Sequence, residues 1–477
     1  MKSIWHNGVT MQVFGALENN IETEAAIVGG GLAGLLTAYK LKEKGVNCVV
    51  LEAARVCSGQ TQNTTAKITA VHGLKFDRLL TAFGEKKAKQ YLNANLNAVN
   101  EYARIIEKEK INCEFELKPF YLYTKEGAEA LNKEYEAAKR LGLEAELLNN
   151  ISLPVKITKA LRFDGQAEFN PLAFASGITD GLEIYENTLV DSVEKGILRA
   201  NGKTVKAKHI VIASHYPFVN APGYYFLRMH QARSYAAAFE NCAALDGMYY
   251  GIDPDGLSWR NAGSLLVASG CSHRAGECEG GEFAKIAAKV RAIYPRAAET
   301  ARWSAQDCMP PDSVPYIGRY SSDEENFYVE TGFGEWGMTT SMAAAEIISD
   351  MICGIKNENA AVFSPQRGLS AAACELARHV ARTVNHLALK RLVSAPRTAN
   401  DLRNGEGDIV RYKGRDAAVY KDENGEIHAV SPNCSHLGCR LSFNPELKSW
   451  DCPCHGSRFD IDGGIIDNPA LENLKKY

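Results

Sequence analysis

Near the end of the chain, Cys434-Ser435-His436-Leu437-Gly438-Cys439 and Cys452-Pro453-Cys454-His455-Gly456-Ser457 gather four thiols and two imidazoles into two short stretches. Each stretch offers one imidazole, one thiolate and a second cysteine close by. Two thiolates with two imidazoles suit a [2Fe–2S] centre in which imidazoles replace thiolates on one iron. The same groups could hold zinc, through two Cys and two His or through all four Cys. Two extra cysteines placed symmetrically fit the iron–sulfur centre better than zinc. A second constellation lies near the start: Gly29-x-Gly31-x-x-Gly34, with Glu52 eighteen positions further on. That spacing suits a dinucleotide. Gly29 allows the tight turn, Gly31 lets a pyrophosphate approach the backbone, and Gly34 permits close helix–strand packing. Glu52 stands where a carboxylate can accept hydrogen bonds from a ribose.

The elements around the glycines support this reading. Ala25-Ala26-Ile27-Val28 is a short apolar strand. A helix pattern follows, with Leu32, Leu35, Leu36 and Leu41 apolar, and Gly45 closes it. Val46 to Leu51 is the next strand, so the motif sits in a full βαβ unit whose helix N-terminus faces the phosphates. The polar stretch Ser58 to Lys67, which includes Thr65, forms a loop over the bound dinucleotide. Residues 77–107 and 126–141 read as amphipathic helices. Asn201-Gly202 marks a hairpin, and His209 to Ser214 is a buried strand that returns to the nucleotide-binding sheet. Phe226 to Tyr250 is the expected substrate-domain sheet. Thr331-Gly332-Phe333-Gly334-Glu335-Trp336-Gly337-Met338 is a second glycine-rich loop, and it feeds a helix over 339–352. The positive end of that helix can stabilise an anion, such as the N1–C2=O edge of a reduced flavin. A further helix is expected over 371–392, a linker over 394–408, and β-structure from 409 onward.

A chain of 477 residues calls for two or three domains. A net charge of -3 gives no reason to expect nucleic acid as a partner. No run approaches the roughly 18 apolar residues of a membrane span, and the N-terminus lacks a signal pattern, so a cytoplasmic protein is expected. Of the 13 cysteines only Cys434, Cys439, Cys452 and Cys454 are grouped. In a cytosolic chain such a group points to metal or catalysis rather than to a disulfide framework.

The stretch 24–354 resembles the FAD-dependent oxidoreductases of the D-amino-acid oxidase type, which include glycine and sarcosine oxidases. Gly29, Gly31, Gly34, Glu52, Asp312-x-x-Pro315-x-Ile317-Gly318 and Thr331-Gly332-Phe333-Gly334 carry the resemblance. It implies an α/β Rossmann-like FAD-binding domain with an interleaved antiparallel substrate sheet. It also implies that Gly29, Gly31, Gly34, Glu52 and Thr65 hold the dinucleotide, and that Gly332, Gly334, Gly337 and Met338 lie against the flavin. One departure bears on the substrate. Where the family often carries an Arg, five residues before the Asp of Thr-Pro-Asp, this chain has Asp307. The usual carboxylate clamp is thereby in doubt, and Arg228, Arg233 and Arg260 are the substitutes to consider. Cys308 is a candidate flavin tether or an ordinary buried thiol.

The stretch from about 402 to 477 resembles the Rieske domains of cytochrome bc complexes, on Cys-x-His-Leu-Gly-Cys and Cys-Pro-Cys-His-Gly-Ser. The resemblance implies an all-β domain over 409–477, with Cys434 and Cys452 on one iron and His436 and His455 on the other. It pairs Cys439 with Cys454 in a disulfide and turns the histidine side toward solvent. Ser457 matches a serine that donates to a cluster sulfur. Where high-potential members carry Tyr, this chain has Phe459, so a lower potential is expected.

Together these features describe a flavoprotein region over 1–393, with FAD-binding parts about 23–75, 155–220 and 303–355, joined to a Rieske domain. The combination implies an FAD-dependent dehydrogenase that oxidises an amine or amino-acid-like C–N bond and passes electrons singly through the cluster to an external acceptor protein. Alternatives are a reductase that takes electrons in through the Rieske domain, and a non-catalytic redox sensor. No motif names a catalytic acid or base; His72, His215, His230 and His273 lie in the flavin part.

Overall fold

The computed structural model describes residues 2–368, 372–389 and 395–477. Five strands run parallel in one sheet, in the spatial order Phe327–Thr331, Lys203–Ile212, Ile21–Val28, Cys48–Leu51 and Glu183–Tyr185. Tyr316–Arg319 pairs antiparallel at one edge, and the hairpin Val190–Glu194/Ile197–Ala200 extends from Lys203–Ile212. The second half of Ile21–Val28 is buried throughout, as expected of a parallel strand covered on both faces. The Leu32–Glu43 helix packs on it through a turn that only glycine can make. Gly29 has φ +115°, and a Cβ there would stand 2.6 Å from the Ala213 carbonyl oxygen. A Cβ on Gly34 would stand 2.0 Å from the Gly29 oxygen. The helix expected over 77–107 spans Phe76–Glu109, with a break at Gly84.

The second sheet has nine strands. Eight run in the order Ala298–Met309, His230–Glu240, Leu265–Arg274, Ser258–Ala262, Met248–Gly251, Glu116–Thr124, Lys159–Glu168 and Lys67–Ile68, and Glu146–Leu148 pairs with Lys159–Glu168. One pair, Met248–Gly251 with Glu116–Thr124, is parallel within the otherwise antiparallel sheet. The intervening chain serves as the long crossover that a parallel pair requires. Lys159–Glu168, at the start of the expected 155–220 nucleotide-binding part, lies in this second sheet.

Ala373–Val384 is helical and continues into a π turn over Asn385–Leu389. Positions 371 and 390–392 of the expected helix, and 394 of the expected linker, lie outside the described residues. The C-terminal part is all antiparallel β. Glu406–Tyr412, Arg415–Lys421 and Ile427–Val430 form one sheet; Ser442–Asn444, Ser449–Asp451, Arg458–Phe459 and Ile465–Asp467 form another. The first of these strands therefore begins inside the expected linker. Among the described residues no helix is long and apolar enough to cross a membrane.

The C-terminal part docks on the second sheet. Arg233 pairs with Asp451 at 3.7 Å, both fully buried, and Glu446 accepts the Gly281 N–H at 2.7 Å. Removing one member of such a buried ion pair leaves an uncompensated charge, so the pair specifies the docked geometry.

Candidate functional site: a two-sided sheet between a cavity and a cysteine–histidine centre

A cavity of about 690 Å³ opens between the two sheets. Gly29, Gly31, Glu52, Thr65, Gly332, Gly334, Gly337 and Met338 all line it. Gly34 does not; it lies beneath the turn, against Gly29. Two helices, Leu32–Glu43 and Gly337–Ile352, begin at this cavity with no cap from their N-cap side chains, although Thr61 Oγ1 accepts the Leu32 N–H at 2.9 Å. Such N-termini suit an anionic pyrophosphate and the electron-rich edge of a flavin. Glu52 accepts the Gly30 N–H at 2.7 Å and the Ala54 N–H at 2.9 Å, while burial raises its carboxyl pKa. The cavity therefore fits FAD in shape and in donor chemistry.

The two cysteine–histidine loops meet through a Cys439–Cys454 disulfide. That bond removes the all-cysteine zinc set considered above. The His436 and His455 rings lie 5.1 Å apart at 85°. The Nδ1 atoms of both have no protein partner although both are buried. Burial pushes the His436 pKa down to about 4 and that of His455 well below the usual value, so both rings are neutral, the form that binds metal. His436 Nε2 lies 3.1 Å from Asn220 Oδ1. With the proton on Nε2 donated to that oxygen, the Nδ1 lone pair is left for a metal. Cys434 sits beside Cys452. The hydrogen bond from Cys452, helped by the His436 and Leu437 N–H groups and by Ser457, lowers the Cys434 thiol pKa to about 7. Two adjacent thiols facing two unpartnered imidazoles match a [2Fe–2S] centre with mixed ligation.

Ser457 Oγ accepts the Ala470 N–H at 3.0 Å, which leaves its own proton for the Cys434 sulfur. Phe459 is fully buried in the same cluster of side chains as Cys434 and Cys452 and supplies no such proton. Phe459→Tyr is expected to raise the reduction potential by on the order of 50 mV, one added hydrogen bond of about 1 kcal/mol in a one-electron couple. Protein-film voltammetry reads this directly; an unchanged potential rejects the role given to position 459.

His455 does not face solvent as the resemblance implied, whereas His436 is half-buried. His455 is 0 % exposed, with the Tyr216 ring 6.4 Å and the Phe226 ring 5.9 Å from its own. The loop carrying Tyr216, Asn220 and Phe226 belongs to the flavin part and caps the imidazoles. Strand alternation makes the contact two-sided. On Ala298–Met309, Ala305 and Asp307 face the cavity, and Gln306 between them faces the cluster loop. On His230–Glu240, Ser234 and Ala236 face the cavity, while Gln231 and Arg233 face the cluster loop and its domain. Gln231 Nε2 donates to the His455 carbonyl at 2.6 Å, and Gln306 Nε2 to the Gly456 carbonyl at 2.8 Å. Gln306 also bonds Gln231 and Arg233. One layer of sheet thus separates the cavity from the His455 loop. Past the sheet edge, Asp467 and Asn468 of the C-terminal part line the cavity themselves, and Asn468 Nδ2 donates to the Ser214 carbonyl at 2.7 Å.

The three candidate arginines are occupied elsewhere. Arg228 donates to the Pro365 carbonyl and stacks on Tyr316; Arg233 serves the docking surface; Arg260 donates to the Thr65, Ala66 and Phe169 carbonyls and pairs with Glu168. Cys308 is buried behind the cavity wall, its sulfur 3.4 Å from His215 Nε2, a place that suits a structural thiol rather than a flavin tether. His215 lines the cavity; His230 and His273 point to the docked side, near His379 and Tyr235. His72 is buried, bonded to Tyr91 and Thr69, and stacked 5.0 Å from Trp336. Lys67, Tyr250, Asp307, Glu335 and Trp336 also line the cavity. Asp307 stood out in sequence at one motif position, whereas Lys67, Tyr250, Glu335 and Trp336 fell within marked stretches without being singled out.

The chain belongs to the FAD dependent oxidoreductase family, whose model matches residues 24–351. Residues 395–477 match the Rieske [2Fe-2S] domain. FAD and a [2Fe–2S] cluster are therefore its cofactors, and it is an oxidoreductase. The chain is 33% identical to the putative Rieske 2Fe-2S iron-sulfur protein YhfW of Bacillus subtilis (strain 168), over 100% of this chain and 97% of that one. It is 23% identical to the gamma-glutamylputrescine oxidoreductase of Escherichia coli (strain K12), over 42% of this chain and 51% of that protein. Its flavin part has the fold of glycine oxidase from Geobacillus kaustophilus, with TM-score 0.63 and 17% identity over 73% of this chain and 99% of that one.

Proposed function

We propose that this protein is a dehydrogenase that oxidises an amine or amino-acid-like C–N bond and passes the electrons singly, through its Rieske domain, to an external acceptor protein. FAD, when bound, supplies hydride acceptance, and the cluster supplies one-electron transfer. In this reading Gly29, Gly31, Glu52, Thr65, Gly332, Gly334, Gly337 and Met338 hold the FAD, with Gly34 supporting the turn. Cys434, Cys452, His436 and His455 hold the cluster. Tyr250 donates from its hydroxyl to Glu335 at 3.1 Å and, with Trp336, lines the substrate end. Names among the relatives support an amine or amino-acid substrate: one is a gamma-glutamylputrescine oxidoreductase, and a fold neighbour is a glycine oxidase.

The observation that carries the proposal is the contact of the His455 loop with the back of the cavity wall, through Gln231 and Gln306. The buried His455 supports this side as the route between flavin and cluster, and the half-buried His436 is the histidine nearest to an outside acceptor. Anaerobic stopped-flow mixing with a reducing substrate tests it. Flavin bleaching is expected first, and the change in cluster absorbance second. In Gln306→Leu the second phase is expected to slow about tenfold while the first is unchanged. A cluster that takes no electrons from reduced flavin defeats the proposal. Cluster reduction that drives flavin reduction, without the reverse flow, supports the reductase alternative. No turnover with any amine supports the sensor.

A further inference from the structure

We propose that the open end of the cavity selects a cationic amine, an ammonium group with no carboxylate beside the reacting C–N bond. The inference rests on the flavoenzyme reading above and narrows its substrate class.

Three independent features of the wall lead to it. First, among the described residues no arginine lines the cavity. A carboxylate ligand taken out of water needs a bidentate or otherwise strong cationic partner, and Arg228, Arg233 and Arg260 are committed to other contacts. Second, the wall places acids where the ligand would sit. Among the described residues the Asp307 side chain has no hydrogen-bond or ion-pair partner, and it lines the cavity. Glu335 is bonded by Tyr250, whose hydroxyl lies in the field of both carboxylates. Lys67 is the one cationic side chain of the wall, bonded to Thr65 Oγ1 at 3.3 Å and within the field of Glu335. It offsets Glu335 together with Lys75, while among the described residues the only counter-charge acting on Asp307 is Arg233; neither Lys75 nor Arg233 lines the cavity. Third, the surface beside these acids is aromatic and fixed in place. Trp336 stacks on His72 at 5.0 Å, meets Phe120 edge-on at 6.2 Å and lies 5.2 Å from Tyr250. Ring faces held beside carboxylates are the setting in which ammonium groups are recognised.

Burial and the field of Glu335 hold the Asp307 carboxyl well above its ordinary pKa. An arriving cation lowers it again, so uptake of an ammonium releases a proton from the site. An arriving carboxylate would meet two acids and force a further proton on.

The test uses the full holoprotein with both cofactors and two unreactive probe ions, tetramethylammonium and propionate. Each is titrated anaerobically while the flavin absorbance is followed. Tetramethylammonium is expected to give a saturable shift, with propionate binding at least tenfold more weakly. Asp307→Asn and Glu335→Gln are each expected to weaken tetramethylammonium at least tenfold. Propionate binding as tightly as the cation overturns the proposal, as does an absent response to both ions. Variants that keep full tetramethylammonium affinity also overturn it. Should a variant not fold, the comparison of the two ions on the unaltered chain still decides. Failure of the underlying reading is distinct: the purified chain would then hold no FAD, or its cluster would stay oxidised beside reduced flavin.

Discussion

Replacing His455 with Ala is expected to empty the iron–sulfur site. Iron per chain should fall at least tenfold, to background, with loss of the cluster's visible absorbance and of its paramagnetic signal on reduction. The argument is local and strong. His455 is fully buried, and among the described residues neither ring nitrogen has a partner at hydrogen-bond geometry. A buried polar atom left unpaired costs about 1–3 kcal/mol, so the site is assembled for a ligand that repays it. Taking the ring away removes one of four ligands and opens a hole between Tyr216 and Phe226. FAD content is expected to remain near that of the parent, because His455 lies on the far side of the sheet from the cavity. Full iron retention in His455→Ala would exclude this histidine as a ligand. Ser435→Ala is the control: Ser435 is exposed and bonds only the Glu472 carbonyl, at 2.6 Å.

Gly29→Val is expected to abolish FAD binding and to destabilise the flavin part by on the order of 3 kcal/mol or more. Gly29 holds φ +115°, a conformation closed to a β-branched side chain. Its Cβ would lie 2.6 Å from the Ala213 carbonyl oxygen, which accepts no displacement without parting the central strands. Gly31→Ala gives the informative contrast. A Cβ at Gly31 meets only the Thr61 hydroxyl, at 3.4 Å, and φ there is ordinary. That variant is expected to fold with a near-parental melting temperature yet to bind FAD at least tenfold more weakly, because the methyl stands where the pyrophosphate approaches. Titration of the apoprotein with FAD, alongside thermal melts, separates the two effects. Parental FAD affinity in Gly31→Ala would reject the placement of the pyrophosphate at this turn.

Much of the site was legible because its chemistry is local in the chain. The Gly29–Gly34 turn, the strand before it and the helix after it lie within some twenty residues, and their geometry follows from steric limits on the backbone. The proposed cluster ligands are spaced within two short loops, so residue type and spacing point to the metal chemistry without reference to the rest of the fold. The exchange of an expected Arg for Asp307 was visible in the same way, at one position of a recognisable segment.

What no local pattern could supply was how the two halves face one another. Docking pairs residues over two hundred positions apart, such as Gln231 with His455 and Asn220 with His436. Such contacts leave no periodic trace in sequence. They turned His455 inward, against the expectation of solvent exposure, and they brought Asp467 and Asn468 into the flavin cavity. The three arginines illustrate the same point, since charge alone made each a candidate and only packing assigned each to another task. Residue type and near-neighbour spacing determined which cofactors this chain can hold. The tertiary fold decided that a single two-faced sheet stands between them, because alternation along a strand sends one residue to the cavity and the next to the cluster.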